Sequence, residues 1–466
     1  RVEADGTVRL GADATGTAAA GGPDTAEATS EGAGDVDGRG ALLEPVLTAS
    51  DRAMLNGGHG QATQAAMRIV QRAATVQGAR ELLDVTQAHI DGCTYVGPSS
   101  LRFAQKLVEW GGQVRVPTTL NSIGVDDRRW RELGVPAEVG QPASDLGAAY
   151  VALGARPTFT CAPYLLDSAP GRGEQVAWGE SNAVVFANSC LGARTQKYAD
   201  LLDICVAITG RAPLTGCHLD EARRATLVLR APAAPPAGDP DGDAFWPALG
   251  YICGLAAAER VPLVTGLEAS SPSRDDLKAF SAAFGTTASS ALFHLAGHTP
   301  EAAGARAALV GGVEERELSL EGLRAAWRQL DGGGERVDLV SLGNPHLSLE
   351  ECARLAALCS GRHRRADVEV VVTLGRDTLE AAAAAGHAAS LERFGAKLLT
   401  DTCWCMLGEP VVPPAARTLA TNSAKFAHYG PGLLDRQVRF TSLAGCVAAA
   451  CTGAVPPPPA WLEATG

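Results

Sequence analysis

The chain has 466 residues, a net charge of −12, and 46% hydrophobic but only 5% aromatic residues. That length allows two or three domains with a large core filled by Ala, Val and Leu, and the acidic balance excludes the basic stripe that nucleic-acid binding needs. No apolar run approaches the roughly 18 residues of a membrane helix and the N-terminus carries no basic start with an apolar stretch, so the expectation is a cytoplasmic protein with no nucleic-acid or membrane partner.

Residues 1–40 are small, polar and Gly-rich, and are expected to be disordered or the remnant of an N-terminal segment. The stretch "ELLDVTQAHI" (81–90) predicts a strand, followed by a polar turn at Asp91, Gly92 and Cys93. "LRFAQKLVEWGG" (101–112) predicts a helix with a Gly stop, and "QVRVPTTLN" (113–121) a strand running into a loop. "WPALGYICGLAAAE" (246–259) reads as a helix and "RVPLVTGL" as a strand. "RVDLVSLGNPH" (336–346) predicts a strand ending in a polar loop, before a helix capped by Ser348. "DVEVVVTLGRDTLEAAAAAG" and "FGAKLLTDTCWC" form a strand–helix–strand unit, and residues 454–466 read as a Pro-rich tail. Such alternation implies α/β architecture with parallel sheets. The ordered chain is divided into subdomains at 41–240 and 241–453.

Sites in open α/β sheets lie beyond the carboxyl ends of strands. That rule selects Gly92–Tyr95, Thr118–Ser122, Cys161–Tyr164, Gly343–His346 and Asp401–Cys405, which are also the loops richest in Cys, Asn, Ser, Thr and His. Of the 12 cysteines, Cys205, Cys253, Cys352, Cys359 and Cys451 read as small core hydrophobes on helices. Cys161 and Cys403 each follow a strand in a polar loop, and Cys405 and Cys446 are intermediate. No CxxC pair exists, so a ligand site would have to be gathered from distant loops. The segment 177–211 packs Glu180, Ser181, Asn182, Asn188, Arg194, Asp200 and Asp203 into an apolar stretch. Either it is a buried network with Arg194 pairing Asp200 or Asp203, or Glu180 does acid–base work beside substrate-binding Ser and Asn residues. Lys425, which could bind a carboxylate, precedes a predicted Pro-Gly turn with His428, which reads as a core histidine; His346 has the better position. No P-loop, GxGxxG or GxSxG motif occurs.

"VPTTLN", "PTFTCAPY", "AWGESNAVVFANSCLGART", "GNPHLSLEE", "TDTCW" and "SAKFAHYGPGLL" together resemble aconitase X, the divergent branch of the aconitase superfamily, over about residues 45–453. The resemblance implies an aconitase-like catalytic portion of parallel and mixed sheets flanked by helices; the swivelling β-rich domain that aconitases carry is expected to be absent from this chain, since mainly small, polar residues precede the first motif. The resemblance also implies a dehydratase with an iron–sulfur cluster, acting on cis-3-hydroxy-L-proline or, in archaeal members, on mevalonate 5-phosphate, with a large subunit inactive without a small swivel partner as a further alternative. The hydroxyproline branch fits "DTCWC" and "GNPH" better. Cys161 and Cys403 match family cluster cysteines, whereas Asn344 stands where archaeal-type members carry a third. Cys405 or Cys446 would then supply the missing thiolate, for a 2Fe-2S cluster with 3Fe-4S or 4Fe-4S as alternatives. Substrate contacts are implied at Gly92, Cys93, Thr94, Asn121, Ser122, Glu180, Ser181 and Lys425, with catalytic roles among Glu180, Ser181, Lys425 and Cys93. A small swivel-domain subunit is the implied partner.

Overall fold

The computed structural model describes residues 43–307, 309 and 312–463. The expectation for residues 1–40 lies outside them. Among the described residues, three parallel sheets and one antiparallel strand pair organise the fold. The largest runs in the order Ala396–Leu399, Glu369–Leu374, Leu339–Leu347, Thr418–Thr421, Gln437–Phe440, every pair parallel. A three-stranded sheet places Ala88–Ile90 between Thr118–Leu120 and Ala177–Trp178. A four-stranded sheet has the order His294–Leu295, Pro262–Thr265, Leu227–Arg230, Glu315–Glu317.

The five-stranded sheet is covered on both faces, so its strands are buried at nearly every position. The period of two decides which face each residue serves. Val340, Leu342, Val370 and Val372 pack with Leu355, Leu391 and Val447. Leu339, Val371 and Leu419 point the other way, into a core with Trp327, Tyr251 and Phe426. On that second side the helices Phe245–Ala257 and Arg274–Thr287 approach closely. A Cβ at Gly250 would lie 2.4 Å from the Phe280 carbonyl oxygen, so only glycine permits the contact.

Several sequence expectations need correction. The strand predicted over 81–90 is two strands, Leu82–Asp84 and Ala88–Ile90. The first pairs antiparallel with Arg211–Pro213, and the second enters the three-stranded sheet. The polar stretch Gly343–His346 does not leave its strand, which continues to Leu347 with a register shift between Leu342 and Leu347. Gly343 takes φ +97°, and a Cβ there would lie 2.0 Å from the Thr373 oxygen. The Pro-Gly turn expected after Tyr429 is inside a helix, Ala424–Leu434. Ser423 caps that helix, and burial of Phe426, Ala427 and Gly430 against the neighbouring core outweighs the missing Pro431 donor. The Ser348 cap is present as a capping box with Glu351. In the Pro-rich segment, Trp461 packs edge-on against Phe245 and Trp327, and Leu462 is buried.

The carboxyl ends of the three-stranded sheet lead into Asp91, Asn121 and Gly179–Glu180. Those of the five-stranded sheet lead into Asp401–Cys405 and Ser423–Lys425. The two sets meet: Ile123 N–H donates to the Asp401 carbonyl at 2.9 Å, and Lys425 reaches Glu180.

Candidate functional site

Two loops bring three thiols together. Cys403 is near enough to both Cys161 and Cys405 that the three thiols influence one another's ionisation. Both loops are built alike. A residue with left-handed backbone, Phe159 at φ 39° or Asp401 at φ 66°, stands two positions before the cysteine, and a threonine stands one before. Such conformations cost about 1–3 kcal/mol and persist only where the surroundings enforce them. Here His346 enforces them. Its Nδ1 bonds Thr160 Oγ1 at 3.0 Å and its Nε2 bonds the Thr402 carbonyl at 2.7 Å. Burial lowers its pKa to about 4, so the ring is neutral. Both nitrogens are engaged, which makes His346 a brace rather than a ligand. Asp401 is held a second way, by bidentate contact with Arg376 at 2.6 and 2.9 Å.

Backbone and amide N–H groups point at the sulfurs. His346 N–H donates to Cys161 Sγ at 3.3 Å, and Asn344 Nδ2 donates to Cys405 Sγ at 3.1 Å. Asn344 therefore meets the third thiol as a hydrogen-bond donor. The contact with Cys161 and then burial push the Cys403 thiol up, and the contact with Cys403 and burial push Cys405 well up. Among the described residues, no group of three or more His, Cys, Asp or Glu side chains is placed to hold one metal ion. A cluster whose irons each take one or two thiolates does not require that. Three soft donors, two of them accepting N–H···S bonds, suit an iron–sulfur cluster. Cys446 is elsewhere, on the helix Leu443–Thr452, buried among Val340, Leu342 and Val447. The structure does not bring it to the thiol group.

Beside the thiols is a cavity of about 280 Å³ lined by Glu180, Ser181, Asn182, Cys405, Lys425 and Tyr429, among others. Its size suits a small molecule. Lys425 Nζ contacts Glu180 Oε1 at 2.8 Å, with both side chains nearly buried. Burial opposes charge on each, but the pairing prevails: Glu180 falls to about 2 and Lys425 rises well above its ordinary value. Glu180 Oε1 also accepts from Asn182 Nδ2 at 2.6 Å, and Oε2 from Asn121 Nδ2 at 3.2 Å. The same Asn121 Nδ2 donates to Asp91 Oδ1.

The remaining candidates surround this core. Gly92 and Asp91 give their N–H groups to Asp203 at 3.0 and 2.7 Å. Cys93 is fully buried and donates to the Asn121 carbonyl at 3.1 Å; burial keeps its thiol protonated. Thr94 Oγ1 donates to the Ser122 carbonyl at 2.7 Å, and Ser122 Oγ is buried without a partner among the described residues. Ser181 is exposed on the cavity. His428 bonds Tyr251 OH at 3.0 Å, away from the thiols. Arg194 pairs neither Asp200 nor Asp203. It pairs Asp220 and the His218 carbonyl, because three backbone N–H groups, those of Asp91, Gly92 and Ile204, occupy Asp203. Asp91 was missed by sequence reasoning. Its only signal was its place at a strand end, in a turn read for Gly92 and Cys93.

Models of the first, second and third domains of aconitase X match residues 44–221, 225–328 and 337–452. The thiol site lies between the first of these and the third. A cis-3-hydroxy-L-proline dehydratase from Pseudomonas aeruginosa is 57% identical over 423 residues, covering 90% of this chain and 72% of the relative. One from Hypocrea jecorina is 56% identical, covering 87% and 69%. A phosphomevalonate dehydratase large subunit from Methanothermobacter thermautotrophicus is 34% identical, covering 83% and 94%. The solved holo-form of Thermococcus kodakaraensis aconitase X superposes with a TM-score of 0.78 at 30% identity, covering 87% of this chain and all of that one.

Proposed function

The chain belongs to the aconitase X family of dehydratases, and from that membership we propose that it dehydrates cis-3-hydroxy-L-proline to Δ1-pyrroline-2-carboxylate. We assign an iron–sulfur cluster to Cys161, Cys403 and Cys405. The observation that carries the chemistry is the buried Lys425–Glu180 ion pair on a small cavity that Cys405 also lines. The identity of 57% to a hydroxyproline dehydratase, against 34% to a phosphomevalonate dehydratase subunit, favours the cyclic amino acid.

When bound, the cluster supplies Lewis acidity toward a departing hydroxyl. The chain supplies the rest. Lys425 pairs the substrate carboxylate and stabilises the charge that develops on it as the α-proton leaves. In doing so it leaves Glu180. While paired, Glu180 is a feeble base, with a pKa of about 2. Loss of the cation to the substrate raises its basicity when the α-carbon is in place, so substrate binding itself arms the base. The Glu180 carboxylate accepts the α-proton, the β-hydroxyl departs as hydroxide, the proton that Glu180 then releases to solvent completes the water, and the enamine tautomerises to the cyclic imine. Cys93, held as a thiol against two carbonyls, supports the Asn121 strand end. Tyr429 and Leu433, 38% and 52% exposed, rim the cavity. They support a covering element such as a small swivel-domain subunit, in keeping with the large-subunit name of the Methanothermobacter relative.

An anaerobic assay with both substrates tests the reading. Dehydration of cis-3-hydroxy-L-proline is expected. Turnover of mevalonate 5-phosphate alone overturns the substrate choice, and active protein free of iron and sulfide overturns the cluster.

A further inference from the structure

His346 is gripped from a third side. Its ring braces both cysteine loops and its N–H points at Cys161 Sγ. Its carbonyl, in addition, accepts a hydrogen bond from Lys278 Nζ at 3.2 Å. Lys278 lies on the helix Arg274–Thr287 and is only 2% exposed. That helix falls in the segment matched by the second aconitase X domain, whereas Thr160 falls in the first and Thr402 and His346 in the third. One histidine is thus held by residues of all three.

The Lys278 ammonium also meets two carboxylates, Glu351 Oε2 and, at 3.4 Å, Asp275 Oδ1. Both acids are anchored on Ser348, two residues beyond His346. Glu351 Oε2 accepts from the Ser348 N–H at 2.8 Å, and Asp275 Oδ2 accepts from Ser348 Oγ at 2.8 Å. One ion network therefore fixes the backbone at both His346 and Ser348. The sheet does less there: residues 343–346 have no in-register partner on either neighbouring strand.

Stability does not account for this arrangement. Burial opposes charge on Lys278, and Glu351 and Asp275 restore it. Burial, partly offset by Lys278, pushes the Glu351 carboxyl up to about 7, so the fold disfavours that charge. Apolar residues often replace a buried ion pair without loss of stability. What an apolar side chain cannot do is donate to the His346 carbonyl.

We propose that Lys278 is a positioning residue of the thiol site: by holding the His346 carbonyl it keeps the histidine N–H aimed at Cys161 and the ring across both cysteine loops, and so governs how firmly the iron–sulfur cluster is retained. The inference rests on the cluster assignment and extends it to the second domain.

The test compares wild type, Glu351→Gln and the double variant Lys278→Met/Glu351→Gln. Glutamine preserves the capping box and leaves Lys278 paired with Asp275. The double variant removes only the ammonium in addition, and Asp275, 22% exposed, can turn to water. Urea midpoints of the apo proteins report the fold. The rate at which EDTA strips iron from anaerobically prepared holoprotein, without urea, reports the site. All three midpoints should lie close together. Glu351→Gln should lose iron within about threefold of the wild-type rate, and the double variant about 10–100-fold faster. A double variant that keeps iron as long as Glu351→Gln overturns the inference, as does a Glu351→Gln that loses it as fast as the double variant. A double variant whose apo fold is lost or greatly weakened also overturns it, because the network would then hold the fold and not the histidine. Wild type without iron and sulfide removes the cluster assignment, and the inference with it.

Discussion

Replacing Lys425 by Met separates what the ion pair does for stability from what it does for catalysis. At 2.8 Å and an effective dielectric of ~20, the gross attraction is about 6 kcal/mol. Burial offsets part of it. The fall of Glu180 from its ordinary 4.5 to about 2 corresponds to a net stabilisation of about 3 kcal/mol. Lys425→Met leaves a buried carboxylate with no cation, and Glu180→Gln leaves a buried ammonium beside thiols, so each should cost about 3–5 kcal/mol. The double variant buries two neutral groups and should recover most of that loss, giving a coupling of about 2 kcal/mol or more. Urea unfolding of the four apo proteins measures it. Activity should behave oppositely: both singles fall, and the double variant does not recover, because the carboxylate of the substrate has lost its partner. The folded value of Glu180 lies below its unfolded one, so the stabilisation is complete above pH ~4.5 and is lost as pH falls toward 2. Wild type should therefore lose stability with acid more steeply than the double variant. Single-variant costs that add within about 0.5 kcal/mol would refute the coupling, and with it the idea that the substrate releases Glu180 by taking its cation.

Alanine at Cys161, Cys403 or Cys405 should abolish iron, sulfide and the brown absorbance of anaerobically prepared protein, whereas Cys446→Ala should keep all three and cost about 1 kcal/mol of core packing. Arg376→Ala strips the fully buried Asp401 of its bidentate partner. It should destabilise by about 3–5 kcal/mol and speed iron loss to a chelator, and Lys at 376, lacking the planar fork, should not rescue it. Gly343→Ala places a Cβ 2.0 Å from a backbone oxygen at φ +97°; a loss of about 4 kcal/mol or more, read as insolubility or a collapsed melting transition, is expected.

The alternation of strands and helices was legible because caps and apolar periodicity are local. Ser348 and Glu351 announce their helix three residues apart, and the structure has it. What could not be read depends on distant partners. Nothing in "ELLDVTQAHI" says that Leu82 will pair with Pro213 while Ala88 pairs with Thr118. Arg194 has two acidic neighbours within ten residues of sequence, yet it pairs with Asp220 because the backbone of another strand end claims Asp203. Asp91 is one more acid in a Gly turn until the fold sets Asn121 between it and Glu180.

The thiol site illustrates the same limit and its resolution. Cys161 and Cys403 could be singled out as strand-end loop residues, but the choice between Cys405 and Cys446 as the third needs geometry. Cys446 lies on a helix whose other buried side chains face a sheet, so its sulfur has apolar neighbours. Cys405 is one turn residue beyond Trp404, whose indole N–H is pinned to the Leu342 carbonyl at 2.9 Å. That anchor buries the residue between the two cysteines in the core. On the strand that Trp404 grips, Asn344 reaches Cys405 and His346 braces both cysteine loops. The polar stretch Gly343–His346 thus serves the site without having to provide a thiolate itself. Its two side chains and one backbone N–H tie together loops that lie more than two hundred residues apart. His346→Ala, by freeing Thr160 and Thr402 at once, should loosen all three sulfurs while leaving each cysteine in place.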